Sequence, residues 1–185
     1  MDSIVQSMQQ VFDEADCLYT KSQVERAIAQ LAGNITETLA ESNPLVISVM
    51  NGGLVFAGQL LPLLQFPLQQ DYMHASRYGE AVQGGTLDWR VRPESMLTDR
   101  TVLIIDDILD QGETLAAIME DCNNAGAKAV YTAVLVEKLH DRKARPDMHA
   151  DYCALTVEDR FIFGYGMDYK GYWRNAAGIY AVKGL

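Results

Sequence analysis

Residues Val102–Thr114 read Val-Leu-Ile-Ile-Asp-Asp-Ile-Leu-Asp-Gln-Gly-Glu-Thr: an apolar run, two adjacent carboxylates, a third after two more residues, and a glycine turn into a polar segment. Such a run suits a strand buried on both faces, and acids at its carboxyl end would emerge where open parallel sheets bind ligands. Asp106 and Asp107 repel each other, so a role with a cation or with ligand hydroxyls is favoured over capping of the next element. The following Asp110, Gln111, Gly112, Glu113 and Thr114 can wrap an anion in backbone N–H groups at the start of a helix, with Thr114 adding a hydroxyl. In outline this is a site for ribose and phosphate. No Gly-x-x-x-x-Gly-Lys-Ser/Thr occurs and no Gly-x-Gly-x-x-Gly follows a strand, so neither a nucleotide triphosphatase nor a dinucleotide enzyme is favoured.

These residues need a scaffold, and the hydrophobic pattern supplies one. Ser22-Gln-Val-Glu25 reads as a capping box, with Val24, Ile28, Leu31, Ile35 and Leu39 on one face of a long helix that should cover a sheet. Pro44 introduces a short buried strand, Leu45 to Met50, followed by Asn51-Gly-Gly53 and an apolar segment from Leu54 to Leu61 that Pro62 ends. Leu68 to His74 can form a second strand. The polar stretch from Ala75, through Gly84-Gly85, reads as a mobile loop returning through Leu87 to Val91. After Val102–Asp107 comes a helix of about ten residues, stopped left-handedly near Asn123-Asn-Ala-Gly126. Val130 to Glu137 is the next strand, and Tyr152 to Thr156 and Arg160 to Phe163 are shorter candidates. The alternation favours a parallel, doubly wound α/β sheet.

With 185 residues the chain can bury one good core, so one domain over 1–185 is expected. Fifteen Lys plus Arg against 25 Asp plus Glu give a net charge of −10, which repels duplex nucleic acid and anionic membranes; local basic residues must handle any phosphate. The first residues lack a basic region followed by an apolar stretch, and no apolar run approaches the roughly 20 residues that cross a bilayer, so a cytoplasmic location is expected. Cys17, Cys122 and Cys153 are widely spaced and read as reduced thiols, with Cys122 on the apolar stripe Leu115, Ile118, Met119, Cys122. His74, His140 and His149 have no metal-ligand spacing and read as surface or supporting residues.

The thirteen-residue segment resembles the 5-phosphoribosyl 1-diphosphate (PRPP) motif of type I phosphoribosyltransferases. The likeness extends over about Leu45 to Arg174 and is greatest to bacterial hypoxanthine-guanine phosphoribosyltransferases. It implies a parallel sheet flanked by helices, with a core of about 40–150 and a small hood formed by terminal segments, about 1–20 and 151–185. Met50-Asn51-Gly52-Gly53 sits where the family places its pyrophosphate loop, although Asn51 stands where members often carry a basic residue. Ala75-Ser-Arg-Tyr-Gly79 resembles the family's catalytic loop, with Arg77 in place of a serine and Tyr78 as a lid residue. Lys138 matches the lysine that donates to the 6-oxo group of the purine. Phe161-Ile162 matches the place where an aromatic ring stacks on the base and main-chain carbonyls read its 2-position. Asp168 aligns with an acid that binds magnesium, and Arg174 with an arginine that clamps pyrophosphate.

The resemblance implies transfer of the phosphoribosyl group from PRPP to N9 of hypoxanthine or guanine. Asp110 would be the general base, Asp106 and Asp107 would hold the ribose hydroxyls and, with Asp168, Mg2+, and residues 110–114 would cradle the 5′-phosphate. The departures Gln111 and Glu113 matter little if the backbone carries those contacts. The partners implied are PRPP and a 6-oxopurine, with no nucleic acid and no membrane, in a homodimer or homotetramer. Two alternatives stay open: a xanthine-preferring enzyme, and a PRPP-sensing regulatory protein of the same fold. The second should lack the catalytic loop or the purine-reading residues and usually gains a basic face or an added helix-turn-helix; this chain keeps the former and shows neither of the latter.

Overall fold

The computed structural model describes residues 3–77 and 87–185. In chain order the elements are α1 (Ile4–Glu14), β1 (Asp16–Thr20), α2 (Lys21–Leu39), β2 (Leu45–Val49), α3 (Gly53–Leu60), a 3₁₀ turn (Leu61–Leu63), β3 (Gln69–Arg77), β4 (Leu87–Val91), β5 (Thr101–Leu109), α4 (Glu113–Asn124), β6 (Ala129–Leu139), β7 (Tyr152–Glu158), β8 (Ile162–Phe163) and β9 (Gly178–Ala181). Six strands form one sheet in the order β4-β3-β2-β5-β6-β7, parallel except for the antiparallel β3–β4 pair at one edge.

The central strands are apolar throughout because both faces are covered. Leu45, Ile47, Val49, Val102 and Ile104 pack with Leu115, Ile118 and Cys122 of α4 on one side. The alternate residues Val46, Leu103 and Ile105 meet Val24, Ile28, Leu31 and Ile35 of α2 and Phe56 and Leu60 of α3 on the other. Burying each of these aliphatic side chains contributes about 1.5–3 kcal/mol, which locks the register from which the site residues project.

Three local expectations are corrected. The capping box begins two residues before Ser22: Thr20 ends β1 in extended conformation and is the N-cap, and Gln23 reaches back to accept the Thr20 N–H at 2.9 Å. Glu25 pairs with Lys21 at 3.6 Å instead. The stretch from Ala75 is not all loop, since β3 continues to Arg77 and pairs with β4 through His74–Val91 and Ala75–Trp89. Finally, residues 152–158 belong to the main sheet as its sixth strand, so the sheet does not stop near residue 150.

The hood is a second, three-stranded antiparallel sheet, β1-β9-β8, with α1 packed on it. Phe12 of α1 meets Trp173 and Tyr180 at 4.8 and 4.9 Å between ring centroids, and Trp173 Nε1 donates to the Met8 carbonyl at 2.7 Å. Ile162, Ile179 and Ala181 join the same core as α2, so helix α2 ties the hood to the main sheet.

Candidate active site

The site begins with a mismatch in strand length. On one side of β5 the ladder to β2 ends at the Ser48–Ile105 pair, whereas on the other side β6 continues pairing as far as Leu109–Glu137. Asp106 and Asp107 therefore lie inside the strand rather than at its end, and are uncovered only where β2 has stopped. The turn Asn51-Gly52-Gly53 fills that notch. A β-carbon on Gly52 would lie 2.2 Å from Asp107 Oδ2, and one on Gly53 would lie 2.8 Å from the Ile105 carbonyl oxygen, so glycine is required at both. The Met50–Asn51 peptide is cis.

Asp107 is almost fully buried. Burial, then the charge of Asp107, pushes the Asp106 carboxyl well above the ordinary range, against a weaker pull from Arg174. Burial likewise raises Asp107, offset in part by a hydrogen bond with Asp106 and by the Arg174 guanidinium. A buried carboxyl beside a half-buried one is costly as a pair of anions, and oxygen donors of this kind suit a hard divalent cation or sugar hydroxyls.

Beyond Leu109 the chain turns through Asp110, Gln111 and Gly112 into α4. Gly112 is the N-cap with φ +82, a left-handed conformation natural to glycine, and no side chain caps the helix. The first turn of a helix presents backbone N–H groups at the positive end of the helix dipole, so this end suits an anion. Asp110 is held from two sides: Lys138 Nζ donates to its Oδ2 at 2.9 Å, and His140 Nε2 lies 2.7 Å from its Oδ1. Burial raises the Asp110 carboxyl, but these two hydrogen bonds and their charges outweigh it, leaving the group below its ordinary value. Lys138 is nearly buried and also approaches Asp159 Oδ1 at 3.9 Å. Lys143 Nζ donates to the carbonyls of Leu109, Asp110 and Lys138 at 3.1, 2.8 and 2.9 Å, pinning the ends of β5 and β6 together.

The hood completes the wall. Phe161 is 44% exposed with its ring edge-to-face on Tyr169 at 5.5 Å, while Ile162 is buried behind it. The Phe161 carbonyl accepts from the Val182 N–H at 2.8 Å. Asp168 Oδ2 accepts from the Gly171 N–H at 2.6 Å, and its Oδ1 pairs with Arg174 Nη2 at 2.5 Å. Arg174 Nη1 also donates to the Gly166 carbonyl at 2.5 Å. Gly166, with φ +111, passes so close to the Asn51–Gly53 turn that a β-carbon there would lie 2.0 Å from the Gly52 carbonyl oxygen.

Two adjoining cavities result. The larger, about 590 Å³, is lined by Asn51, Gly52, Asp106 and Asp107, by residues 110–114, and by Arg174. The smaller, about 180 Å³, is lined by Lys138, Phe161, Ile162, Met167 and Asp168, and shares Asp107, Ile108 and Asp110 with the first. The residues singled out in the sequence are thus brought together, with three qualifications of place. Gly53 packs beneath the turn rather than lining a cavity. Arg77 ends β3, and Tyr78 lies outside the described residues. Arg90, which lines the larger cavity, escapes the sequence reading, while His74 on the same wall and His140 on Asp110 read there only as surface or supporting residues without a place in the site. The alternation Leu87, Trp89, Val91 was the available signal that Arg90 stands on a strand. Nothing local marked His140 beyond its two-residue offset from Lys138.

Residues 14–170 match the phosphoribosyl transferase domain family. The chain is 31% identical over 166 residues to a hypoxanthine-guanine-xanthine phosphoribosyltransferase of Tritrichomonas foetus, covering 90% of each. It is 31% identical over 167 residues to a hypoxanthine-guanine phosphoribosyltransferase of Bacillus subtilis, covering 90% of this chain and 92% of that one. Among solved structures, a hypoxanthine-guanine-xanthine phosphoribosyltransferase superposes with a TM-score of 0.83 at 30% identity, over 92% of this chain and 99% of the other. A Bacillus anthracis hypoxanthine-guanine phosphoribosyltransferase superposes with a TM-score of 0.84 at 28% identity, over 90% and 98%. The family match over residues 14–170, with likeness over 90% of this chain to both the Tritrichomonas foetus and the Bacillus subtilis relatives, shows that the chain belongs to the phosphoribosyl transferase family.

Proposed function

We propose that this chain, as a single domain over 1–185, is a purine-salvage enzyme that transfers the 5-phosphoribosyl group of PRPP to N9 of hypoxanthine or guanine, giving IMP or GMP and pyrophosphate. The observation that carries the reading is the junction of the two cavities at Asp107 and Asp110, one cavity suited to a sugar phosphate and the other ending in Lys138 and Phe161. The 5′-phosphate is taken by the uncapped start of α4 with Thr114, and the ribose hydroxyls by Asp106 and Asp107. The purine lies against Phe161, and Lys138 donates to its 6-oxo group; adenine presents a donor there and is rejected.

As the bond from C1′ to the diphosphate breaks, positive charge grows on the sugar and N9 forms the new bond from the opposite face. Asp110 takes the proton released from the imidazole edge of the base, and Arg174 with the backbone of the Asn51–Gly53 turn receives the leaving diphosphate. Asp106, Asp107 and Asp168 would hold Mg2+, which, when bound with the diphosphate, supplies neutralisation of the leaving charge. The raised pKa values of Asp106 and Asp107 support that fit. Arg90 stands on the wall of the same cavity and offers the positive charge that Asn51 lacks. Tyr78 and Arg77 are assigned to the lid on resemblance alone. A homodimer or homotetramer in the cytoplasm completes the reading; no helix among the described residues is long and apolar enough to cross a membrane.

Xanthine is the second candidate base, because a relative that is 31% identical is named for all three 6-oxopurines. The test is incubation with PRPP, Mg2+ and each of hypoxanthine, guanine, xanthine and adenine, with product nucleotide identified by chromatography. IMP or GMP is expected; absence of any nucleotide from every base would defeat the proposal.

A further inference from the structure

His140 stands just beyond β6 with its side chain only 6% exposed, yet it does not line the base pocket. Its two ring nitrogens have different partners. The Arg142 backbone N–H donates to Nδ1 at 3.1 Å, and Nε2 faces Asp110 Oδ1 at 2.7 Å. A backbone N–H only donates, so Nδ1 must present its lone pair, and the single proton of the neutral ring is on Nε2, directed at the carboxylate. Lys143, anchored on the Leu109, Asp110 and Lys138 carbonyls, fixes the two backbone segments from which Asp110 and Lys138 project.

Asp110, His140 and Asp159 bring possible ligand atoms within 4.8 Å of one another. They do not make a metal site. With Nδ1 accepting from Arg142, Nε2 of the neutral ring carries the proton and has no lone pair for a metal, and the acids are already met by cations, Lys138 at Asp110 and Arg142 at Asp159. The charged groups around the ring are thus Asp110 at the end of β5, Asp159 after β7, and Lys138, Arg142 and Lys143 from its own segment.

The two donors on Asp110 differ in what they can do. Lys138 lines the smaller cavity and, in the function proposed above, is the donor to a 6-oxo oxygen, a role that would release Asp110 Oδ2. His140 has no such second task. We propose that His140 is a positioning residue that holds Asp110 by Oδ1 in a fixed tautomer, so that Oδ2 alone is presented to the imidazole proton of the purine. This rests on Asp110 being the base, as in the function proposed above. Loss of the His140 donor also removes one of the bonds that keep Asp110 below its ordinary pKa.

The experiment compares wild type, His140→Ala and His140→Gln with PRPP, Mg2+ and hypoxanthine, measuring kcat, the two KM values and the pH dependence of kcat. His140→Ala is expected to lower kcat about ten- to a hundredfold, the scale of one hydrogen bond to a charged group, with KM for PRPP unchanged and the acid limb moved to higher pH. His140→Gln, whose amide reaches to a similar place, should recover most of kcat and return the limb. A His140→Ala enzyme with wild-type kcat and acid limb would overturn the positioning role alone, as would a His140→Gln enzyme no better than it. Histidine ¹⁵N spectra give a readout independent of turnover: an Nε2–H tautomer whose proton resonance moves on Asp110→Asn is expected. An Nδ1–H tautomer would overturn the clamp. Wild type inert with every purine while that resonance still responds would overturn the proton-abstraction role together with the functional reading beneath it.

Discussion

Gly166→Ala is the most informative single change, because the cost can be worked from two features of the structure. The added β-carbon would lie 2.0 Å from the Gly52 carbonyl oxygen, where ordinary carbon–oxygen approaches are about 3.3–3.6 Å. The obstacle is backbone and cannot rotate away. Gly166 also has φ +111, outside the region that alanine adopts without strain. Backbone strain of about 1–3 kcal/mol and overpacking of about 1–3 kcal/mol give a destabilisation of about 2–6 kcal/mol. At this chain length that lowers Tm by about 4–24 °C. The displaced groups are functional: Gly52 moves against Asp107, and Arg174 loses its anchor, since it bonds the Gly166 carbonyl and accepts the Gly166 N–H at 2.9 Å. Gly126→Ala is the control. Gly126 has φ +85, but its added carbon meets nothing nearer than 3.5 Å, so only the left-handed strain of about 1–2 kcal/mol applies. Thermal unfolding and steady-state kinetics with varied PRPP would be compared for the two. Equal Tm losses and an unchanged KM for PRPP in both variants would refute the close-approach argument.

Lys138→Met removes both the partner of Asp110 Oδ2 and the donor to the 6-oxo group; kcat/KM for hypoxanthine should fall about 10²–10³-fold, the loss expected from an unpaired polar site, while KM for PRPP changes little. Asp106→Asn should raise the Tm of the free protein at pH 7 while weakening PRPP–Mg2+ binding in calorimetry. The sign follows from the direction of the shift: a carboxyl raised on folding destabilises the fold when ionised, and that penalty is relieved as pH falls through its folded value. A variant less stable than wild type at pH 7 would contradict it. Iodoacetamide at pH 7.5 should label Cys17, which is exposed, and spare Cys122 and Cys153, whose thiols burial pushes up to about 11; mass spectrometry reads the sites.

What could be seen in the sequence was whatever depends on neighbours along the chain. The run Val102–Ile105 announces a strand covered on both faces, and Val24, Ile28, Leu31 and Ile35 announce the helix face that covers it. Gly52 and Gly112 mark turns for the same local reason. What depends on another strand's length was hidden. Nothing in Val102–Thr114 tells that β6 pairs on to Leu109 while β2 stops at Ile105, and it is that difference which opens the notch around Asp106 and Asp107. The hood strands β1 and β9 are four or five residues each and find each other across the whole chain, too short and too distant for periodicity to reveal. Thr20 outcompeted Ser22 as N-cap because β1 delivers it in an extended conformation. His140 acquires meaning only through Asp110, 30 residues earlier.

The central claim is tested most directly by a crystal structure of the protein with Mg2+, hypoxanthine and a PRPP analogue whose C1′ linkage cannot break. The account predicts the 5′-phosphate at residues 110–114, the ribose hydroxyls against Asp106 and Asp107, the purine on Phe161, and Lys138 Nζ swung from Asp110 to the 6-oxo oxygen. A sugar phosphate bound away from the Asp106–Asp107 notch, or a purine that leaves the Lys138–Asp110 pair intact and lies elsewhere, would contradict it.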